Sequence, residues 1–221
     1  MSVLPQSLRT LTPNALRDDV RLRAIALGLG LIPPRCMHSA ADAAVLERAV
    51  QGAGRVVEIG VYEGASAAEL CACLPAGAEL HLIDPFGSRP DALPSGWAGS
   101  EWATRRAVAR ALRSRGAQAP AVRWHIGLSQ EVVREFAAPV DVVFIDGDHS
   151  EQGCERDWLE WSALVPVGGM VVLHDARLDQ AGGRGLPGPT AVVARHLRRA
   201  GGAPFEIVEE ADRTVAARRV V

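Results

Sequence analysis

Seven short runs of β-branched and apolar residues punctuate the chain: Arg55–Ile59, Glu79–Ile83, Val122–Ile126, Val140–Ile145, Met170–His174, Phe205–Val208 and Thr214–Ala217. Between them the apolar positions recur with helical spacing, predicting helices at Ala40–Gln51, Ser66–Leu74, Glu101–Arg115, Gln130–Ala137, Glu151–Leu164 and Thr190–Ala200. Strands alternating with helices predict an α/β fold, a parallel sheet with helices on both faces. Val140–Ile145 and Met170–Leu173 are almost wholly apolar, as strands buried on both sides should be. Only Glu209–Arg213 separates the last two runs, too short for a helical crossover, so those two strands should pair antiparallel. Two segments break the alternation. Gly87–Ser100, which contains Trp97, and Ala176–Pro189 are rich in glycine and proline, and both leave the C-terminal ends of strands. Open α/β sheets bind ligands there, so these are candidate substrate-covering loops or plain surface loops. Leu4–Pro34 reads as one or two amphipathic helices, a lid or an oligomer contact.

The strand ends carry the chemistry. The first reads Glu58-Ile59-Gly60-Val61-Tyr62-Glu63-Gly64-Ala65-Ser66 and runs into a helix. Gly60 allows a sharp turn and close ligand approach, and Gly64 opens a helix whose free N–H groups favour an anionic group. Tyr62 stands where a dinucleotide fingerprint needs its middle glycine, so a pyrophosphate fits poorly, whereas Glu58 suits a ligand with an ammonium group. The second strand ends in Asp84-Pro85, and a carboxylate there can accept hydrogen bonds from a ribose diol. The third ends in Gly127-Leu128-Ser129, which could pack beside an adenine; Ser129 also reads as a helix N-cap, and both roles can hold together.

The fourth strand ends in Asp146-Gly147-Asp148-His149 and the fifth in His174-Asp175. Neighbouring strand ends lie about 5 Å apart, so Asp146 and Asp175 should converge. Two such carboxylates repel unless protonated, hydrogen-bonded or bridged by a cation such as Mg²⁺; alternatively one of them caps the following loop. His149 has the range of a general base, or is a loop histidine bonded to a backbone carbonyl. Trp158 and Trp161, at i and i+3, read as helix core.

Composition narrows the field. With 48% hydrophobic and 23% charged residues, the chain should fold as a globular domain rather than stay disordered. A net charge of -2 gives no basic excess for nucleic acid, and the arginines of Arg105–Arg115 read as a solvated face. No apolar stretch is long enough to span a membrane, and Met1–Thr10 lacks a secretory pattern, which together predict a cytoplasmic protein. All 24 basic residues are arginine, so every mechanism that needs a lysine is excluded. Cys36, Cys71, Cys73 and Cys154 lack zinc-ribbon spacing and read as reduced, packed thiols.

These segments carry a family resemblance: Val56–Leu70, Leu82–Phe86 and Val140–Asp175, with its Phe-Ile-Asp-Gly-Asp-His-Ser, Val-Gly-Gly and Leu-His-Asp elements. The chain resembles the class I S-adenosylmethionine-dependent methyltransferases. Within them it is similar to the small-molecule O-methyltransferases related to macrocin O-methyltransferase and to the cephalosporin-biosynthesis methyltransferase-like proteins. The resemblance covers 37–221, with residues 1–36 as an attached helical segment. It implies a Rossmann-like sheet of order 3-2-1-4-5-7-6 with strand 7 antiparallel. It implies that Glu58, Gly60, Val61, Tyr62, Gly64 and Ser66 hold the methionine part of S-adenosylmethionine, Asp84 and Pro85 the ribose, and Gly127, Leu128 and Ser129 the adenine, with Asp146 at the reactive end. Metal-dependent relatives match Asp146 and Asp175 and carry a further acidic ligand beside the second; here His174 and Ala176 flank it, so His174 or water must serve. Where catechol-type relatives use a lysine base, this chain is left with His149 or Asp146. The expected reaction is methyl transfer to a hydroxyl of a sugar or phenolic small molecule, in a chain that could form a homodimer. The rival readings are a nicotinamide-dependent oxidoreductase and a non-catalytic cofactor-binding module.

Overall fold

A computed structural model describes residues 19–88, 99–136, 139–198 and 203–221. Seven strands form one sheet: β1 (Arg55–Ile59), β2 (Glu79–Ile83), β3 (Ala121–His125), β4 (Val142–Ile145), β5 (Met170–Leu173), β6 (Phe205–Ala211) and β7 (Thr214–Arg219). Their order is β3-β2-β1-β4-β5-β7-β6. The first five pair in parallel, and β7 runs antiparallel to both β5 and β6. This is the Rossmann-like arrangement expected from the resemblance, with the reversed strand where the short 209–213 connection requires it.

Among the described residues, seven α-helices flank the sheet: α1 (Val20–Leu29), α2 (Ala40–Ala49), α3 (Ala65–Cys73), α4 (Glu101–Arg115), α5 (Ser129–Val132), α6 (Glu151–Ser162) and α7 (Pro187–His196). Serines cap three of them. Ser39 closes a reciprocal capping box with Asp42, while Ser100 and Ser150 accept from Ala103 and Gly153. Alternate residues of the strands build two apolar layers. Val56, Leu80, Leu82 and Phe144 pack with Leu46, Leu70 and Val108 on one face. Val57, Ile59, Val143 and Leu173 pack with Trp158, Trp161 and Val192 on the other. Each such side chain contributes about 1.5–3 kcal/mol by leaving water, which fixes the register of the central strands. Trp158 and Trp161 are core residues, as their spacing predicts. Among the described residues, no helix is long and apolar enough to cross a membrane.

Three expectations need correction. The helix predicted over Gln130–Ala137 is α5 followed by a 3₁₀ turn, Val133–Glu135. The last predicted helix begins earlier, because Pro187 takes the first helical turn, where its missing N–H costs nothing. The arginines of α4 are not merely a solvated face: Arg106 donates to the Gly28 carbonyl, and Arg110 to those of Leu27 and Gly28. They thereby satisfy the open carbonyls at the end of α1 and hold it on the domain. Part of the predicted N-terminal helical segment, residues 1–18, lies outside the described residues, as do residues 89–98 of the Gly87–Ser100 loop, including Trp97.

Candidate functional site

The pairing Ile83↔Ile59↔Ile145↔Leu173 sets four strand ends level, so Asp84, Gly60, Asp146 and His174 emerge in one row. They open into a cleft of about 690 Å³, within the size range of small-molecule and cofactor sites.

On the β1–β2 side, Gly60, Val61, Tyr62, Ser66, Asp84 and Pro85 all line the cleft. Gly60 has φ +89°, and a Cβ there would lie 2.2 Å from the Asp146 carbonyl oxygen, so no other residue lets the two strand ends approach this closely. Asp84 Oδ2 accepts from the backbone N–H groups of Val61 and Tyr62 at 2.8 Å each, and Oδ1 accepts from Phe86 at 2.6 Å. The carboxylate thus shapes the turn after β1 and keeps acceptor capacity on Oδ1. Burial raises its pKa against those three bonds. Tyr62 itself has φ 51°, a conformation costly for a non-glycine residue and common at functional sites.

Two residues expected here do not reach the cleft lining. The Glu58 side chain is fully buried and accepts from the Ser66 hydroxyl, with Oε2 left without a partner. Burial pushes its pKa up to about 8 against the Ser66 bond, so it is largely neutral at pH 7. Gly64 (φ +82°) packs under α4, where a Cβ would stand 3.0 Å from Thr104 Cγ2.

On the β3 side, Gly127, Leu128 and Ser129 line the cleft. The N-cap of α5 is Leu128, not Ser129. Ser129 is the first helical residue, and its hydroxyl turns to Asp157 of α6. Asp157, which the sequence reading did not single out, also faces the cleft, and burial raises its pKa to about 7 despite that bond.

The β4–β5 side gathers the ionisable groups. Asp146 Oδ1 lies 3.0 Å from His174 Nδ1 and 3.3 Å from His149 Nε2, while Oδ2 lies 3.2 Å from His38 Nε2. His149 Nε2 is also 3.5 Å from Asp175 Oδ2, and Arg213 donates to Asp175 Oδ1 at 3.1 Å. The expected convergence of Asp146 and Asp175 is therefore present, bridged by imidazoles. Burial would raise the Asp146 carboxyl, but His174 and the bonds from His149, His174 and His38 outweigh it and hold the pKa well below the usual carboxylate range. Burial would lower both His149 and His174, yet their carboxylate neighbours raise them. His149 is bonded to carboxylates rather than to a backbone carbonyl, and its side chain is 31% exposed, enough to meet a substrate. Of the loop Ala176–Pro189, Leu186 reaches the cleft, and an Ala176↔Gly185 bridge folds the segment between them back on itself.

His38 was missed by sequence reasoning. It stands 108 positions before Asp146, immediately ahead of the α2 capping box, and no spacing links the two. A histidine beside a helix start that packs on the sheet rim is the only local signal.

Asp146, His149, His174 and Asp175 each present one donor atom, all within 4.8 Å of one another. Two imidazoles and two carboxylates are not the oxygen-rich octahedral set that Mg²⁺ takes, so this donor set does not fit that ion. The cleft does fit an adenosyl sulfonium: Gly60 lines it with no side chain to intrude, Asp84 offers an acceptor, and Gly127–Ser129 forms a wall for a flat base.

A family model described as a methyltransferase domain matches residues 57–176. Among solved structures, the O-methyltransferase TomG from Streptomyces achromogenes, involved in tomaymycin synthesis and in complex with SAM, is similar at 19% identity and a TM-score of 0.60, covering 92% of this chain and 91% of that one. The Bacillus cereus O-methyltransferase in complex with SAH matches at 16% identity and TM-score 0.60, covering 98% of this chain and 93% of that one. Cofactor-bound Rv0187 from MTB matches at 17% identity and TM-score 0.61, covering 99% of this chain and 98% of that one.

Proposed function

The chain belongs to the methyltransferase-domain family, and from that premise we propose that it uses S-adenosylmethionine to methylate a hydroxyl oxygen of a small molecule. The observation that carries this reading is the position of His149: it lines the cleft with Nε2 3.3 Å from Asp146 and 3.5 Å from Asp175. S-adenosylmethionine, when bound, supplies a methyl group already activated by a positive sulfur and leaves as a neutral thioether. What remains for the protein is alignment and removal of one proton. Gly60, Tyr62 and Asp84 hold the cofactor end, and Gly127 to Ser129 receive the adenine. The hydroxyl proton passes to His149 as the new carbon–oxygen bond forms. Asp146 and Asp175 stabilise the resulting imidazolium and orient the ring, and the proton then leaves to solvent. Asp146 is a carboxylate at neutral pH because its imidazole neighbours hold it ionised. His149 is the better base, since the Asp146 carboxylate is already engaged on both oxygens.

A small acceptor, a sugar or a phenolic compound, matches a cleft of about 690 Å³ shared with the cofactor. The test is calorimetric titration with S-adenosylmethionine and with NADH, followed by methylation assays on catechol and glycoside panels. Binding of the sulfonium alone and His149-dependent methylation are expected. NADH binding in its place, or full rate in His149→Ala, would overturn the reading.

A further inference from the structure

We infer that Asp146, His149, His174 and Asp175 form a four-coordinate site for a borderline divalent cation such as Zn²⁺, that this site discriminates against Mg²⁺, and that filling it engages the base assigned above. The binding part of this inference stands on geometry and donor chemistry and does not depend on the methyl-transfer reading; the effect on the base does.

The donor atoms are Asp146 Oδ1, His149 Nε2, His174 Nδ1 and Asp175 Oδ2. Four of the six separations among them are 3.0 Å (Asp146–His174), 3.3 Å (Asp146–His149), 3.5 Å (His149–Asp175) and 3.7 Å (His174–Asp175), and the two across the ring lie within 4.8 Å. A tetrahedral ion with bonds of about 2.0–2.1 Å has ligand–ligand edges of about 3.3–3.4 Å, in the middle of that range. An octahedral Mg²⁺ at the same bond length has neighbouring ligands about 2.9 Å apart and demands oxygen. Nitrogen donors in this mixed set favour Zn²⁺, Co²⁺ or Fe²⁺ instead.

The surroundings are built to hold these donors. Each carboxylate turns one oxygen to the centre and has the other engaged: Asp146 Oδ2 by His38 at 3.2 Å, and Asp175 Oδ1 by Arg213 at 3.1 Å. His174 is 2% exposed, and its second nitrogen, Nε2, is buried without a hydrogen-bond partner, 4.0 Å from Asp42 Oδ2. Asp42 is itself fixed by Ser39, by the Arg213 backbone N–H and by Thr214. Ion binding would displace the proton that Nδ1 gives to Asp146, and the charge of Asp42 on the far side of the ring favours a proton on Nε2 when it does. Asp175 adopts φ 53°, so its backbone is held in an unfavourable conformation that aims the carboxylate at the centre. His149 is the exposed member and sits on the side from which an ion enters.

The experiment is calorimetry of EDTA-stripped, dialysed protein with ZnCl₂ and MgCl₂, with metal analysis after gel filtration. One Zn²⁺ per chain, bound at least 100-fold more tightly than Mg²⁺, is expected. His149→Ala and His174→Ala should each weaken Zn²⁺ at least tenfold. Because His174 is buried and its variant could misfold, Co²⁺ loading of the unaltered protein gives a second readout: intense visible bands of four-coordinate Co²⁺, lost in His149→Ala. Mg²⁺ binding as tightly as Zn²⁺, weak octahedral Co²⁺ bands, or Zn²⁺ binding indifferent to His149→Ala would overturn the site. Under turnover, Zn²⁺ should inhibit methylation at least tenfold, with EDTA restoring it; stimulation by Zn²⁺ would overturn the engagement of the base. An S-adenosylmethionine titration of the same stripped protein separates the two readings. Cofactor binding without Zn²⁺ binding sinks only the ion site, and Zn²⁺ binding without cofactor binding sinks only the methyltransferase reading.

Discussion

Glu58 and Asp146 stand near neighbouring strand ends of β1 and β4, the first fully buried and the second partly buried at the cleft, and they differ in charge state. Glu58 has one hydroxyl partner, and burial drives its pKa to about 8. Asp146 has three imidazoles within 3.0–3.3 Å, and they overturn the same burial to hold it ionised. Depth therefore does not decide the charge of a carboxyl in this sheet; the partners delivered by other elements do. The β1 end is built over a neutral Glu58, and the β4–β5 end is a charged cluster suited to proton transfer.

The largest break in this contrast should come from Asp146→Asn, which removes the negative charge and one of the two acceptor oxygens that three imidazoles share. Methyl transfer should fall at least about 1,000-fold in single-turnover assays, and urea unfolding should show a loss of about 3–5 kcal/mol, since the imidazoles lose their compensating charge. The His149→Ala exchange should lower kcat about 100-fold while leaving S-adenosylmethionine affinity unchanged by calorimetry; an equal loss in affinity would make His149 a binding residue.

Glu58→Gln tests the opposite pole through pH. Glu58 stays protonated in the folded chain up to about pH 8, whereas in the unfolded chain it ionises near the ordinary glutamate value of 4.5. Glu58 should thus subtract stability as pH rises from 4.5 to 8, a contribution that the non-titrating variant lacks. The difference in unfolding free energy should grow across that window by on the order of 5 kcal/mol and level off above it. A difference independent of pH would show Glu58 ionised in the fold. Asp146 carries the reverse sign: its stabilisation is present above its unfolded pKa and is lost as pH falls through the depressed folded value.

His38→Ala should have the smallest effect, a roughly tenfold lower kcat from looser placement of Asp146, with KM for the acceptor unchanged. His38→Gln, which can still donate to Asp146 Oδ2, should recover most of it.

Much of this was legible in the chain. β1 and β2 and the long helix Glu101–Arg115 have the bounds that apolar periodicity gives them, because strands buried on both faces and a serine-capped amphipathic helix leave strong local patterns. Gly60, Asp84, Asp146 and Asp175 were recognisable because each follows directly on such a strand. Ser129 was misread as a cap because its local signal, a hydroxyl before a helix, is identical whether it turns to the backbone or to Asp157. Arg106 and Arg110 read as solvated because their partners, the α1 carbonyls, lie about 80 positions away.

The sequence alone thus determined the alternation of strands and helices, the reversal at the end of the sheet and the row of residues at the strand ends, since all three follow from local spacing and connection length. Only the tertiary structure decided which carboxylates are charged, that Glu58 turns away from the cleft, and that His38, His149 and His174 converge on Asp146. Those outcomes depend on distances between residues remote in the chain, and electrostatic energy follows that separation in space rather than position in sequence.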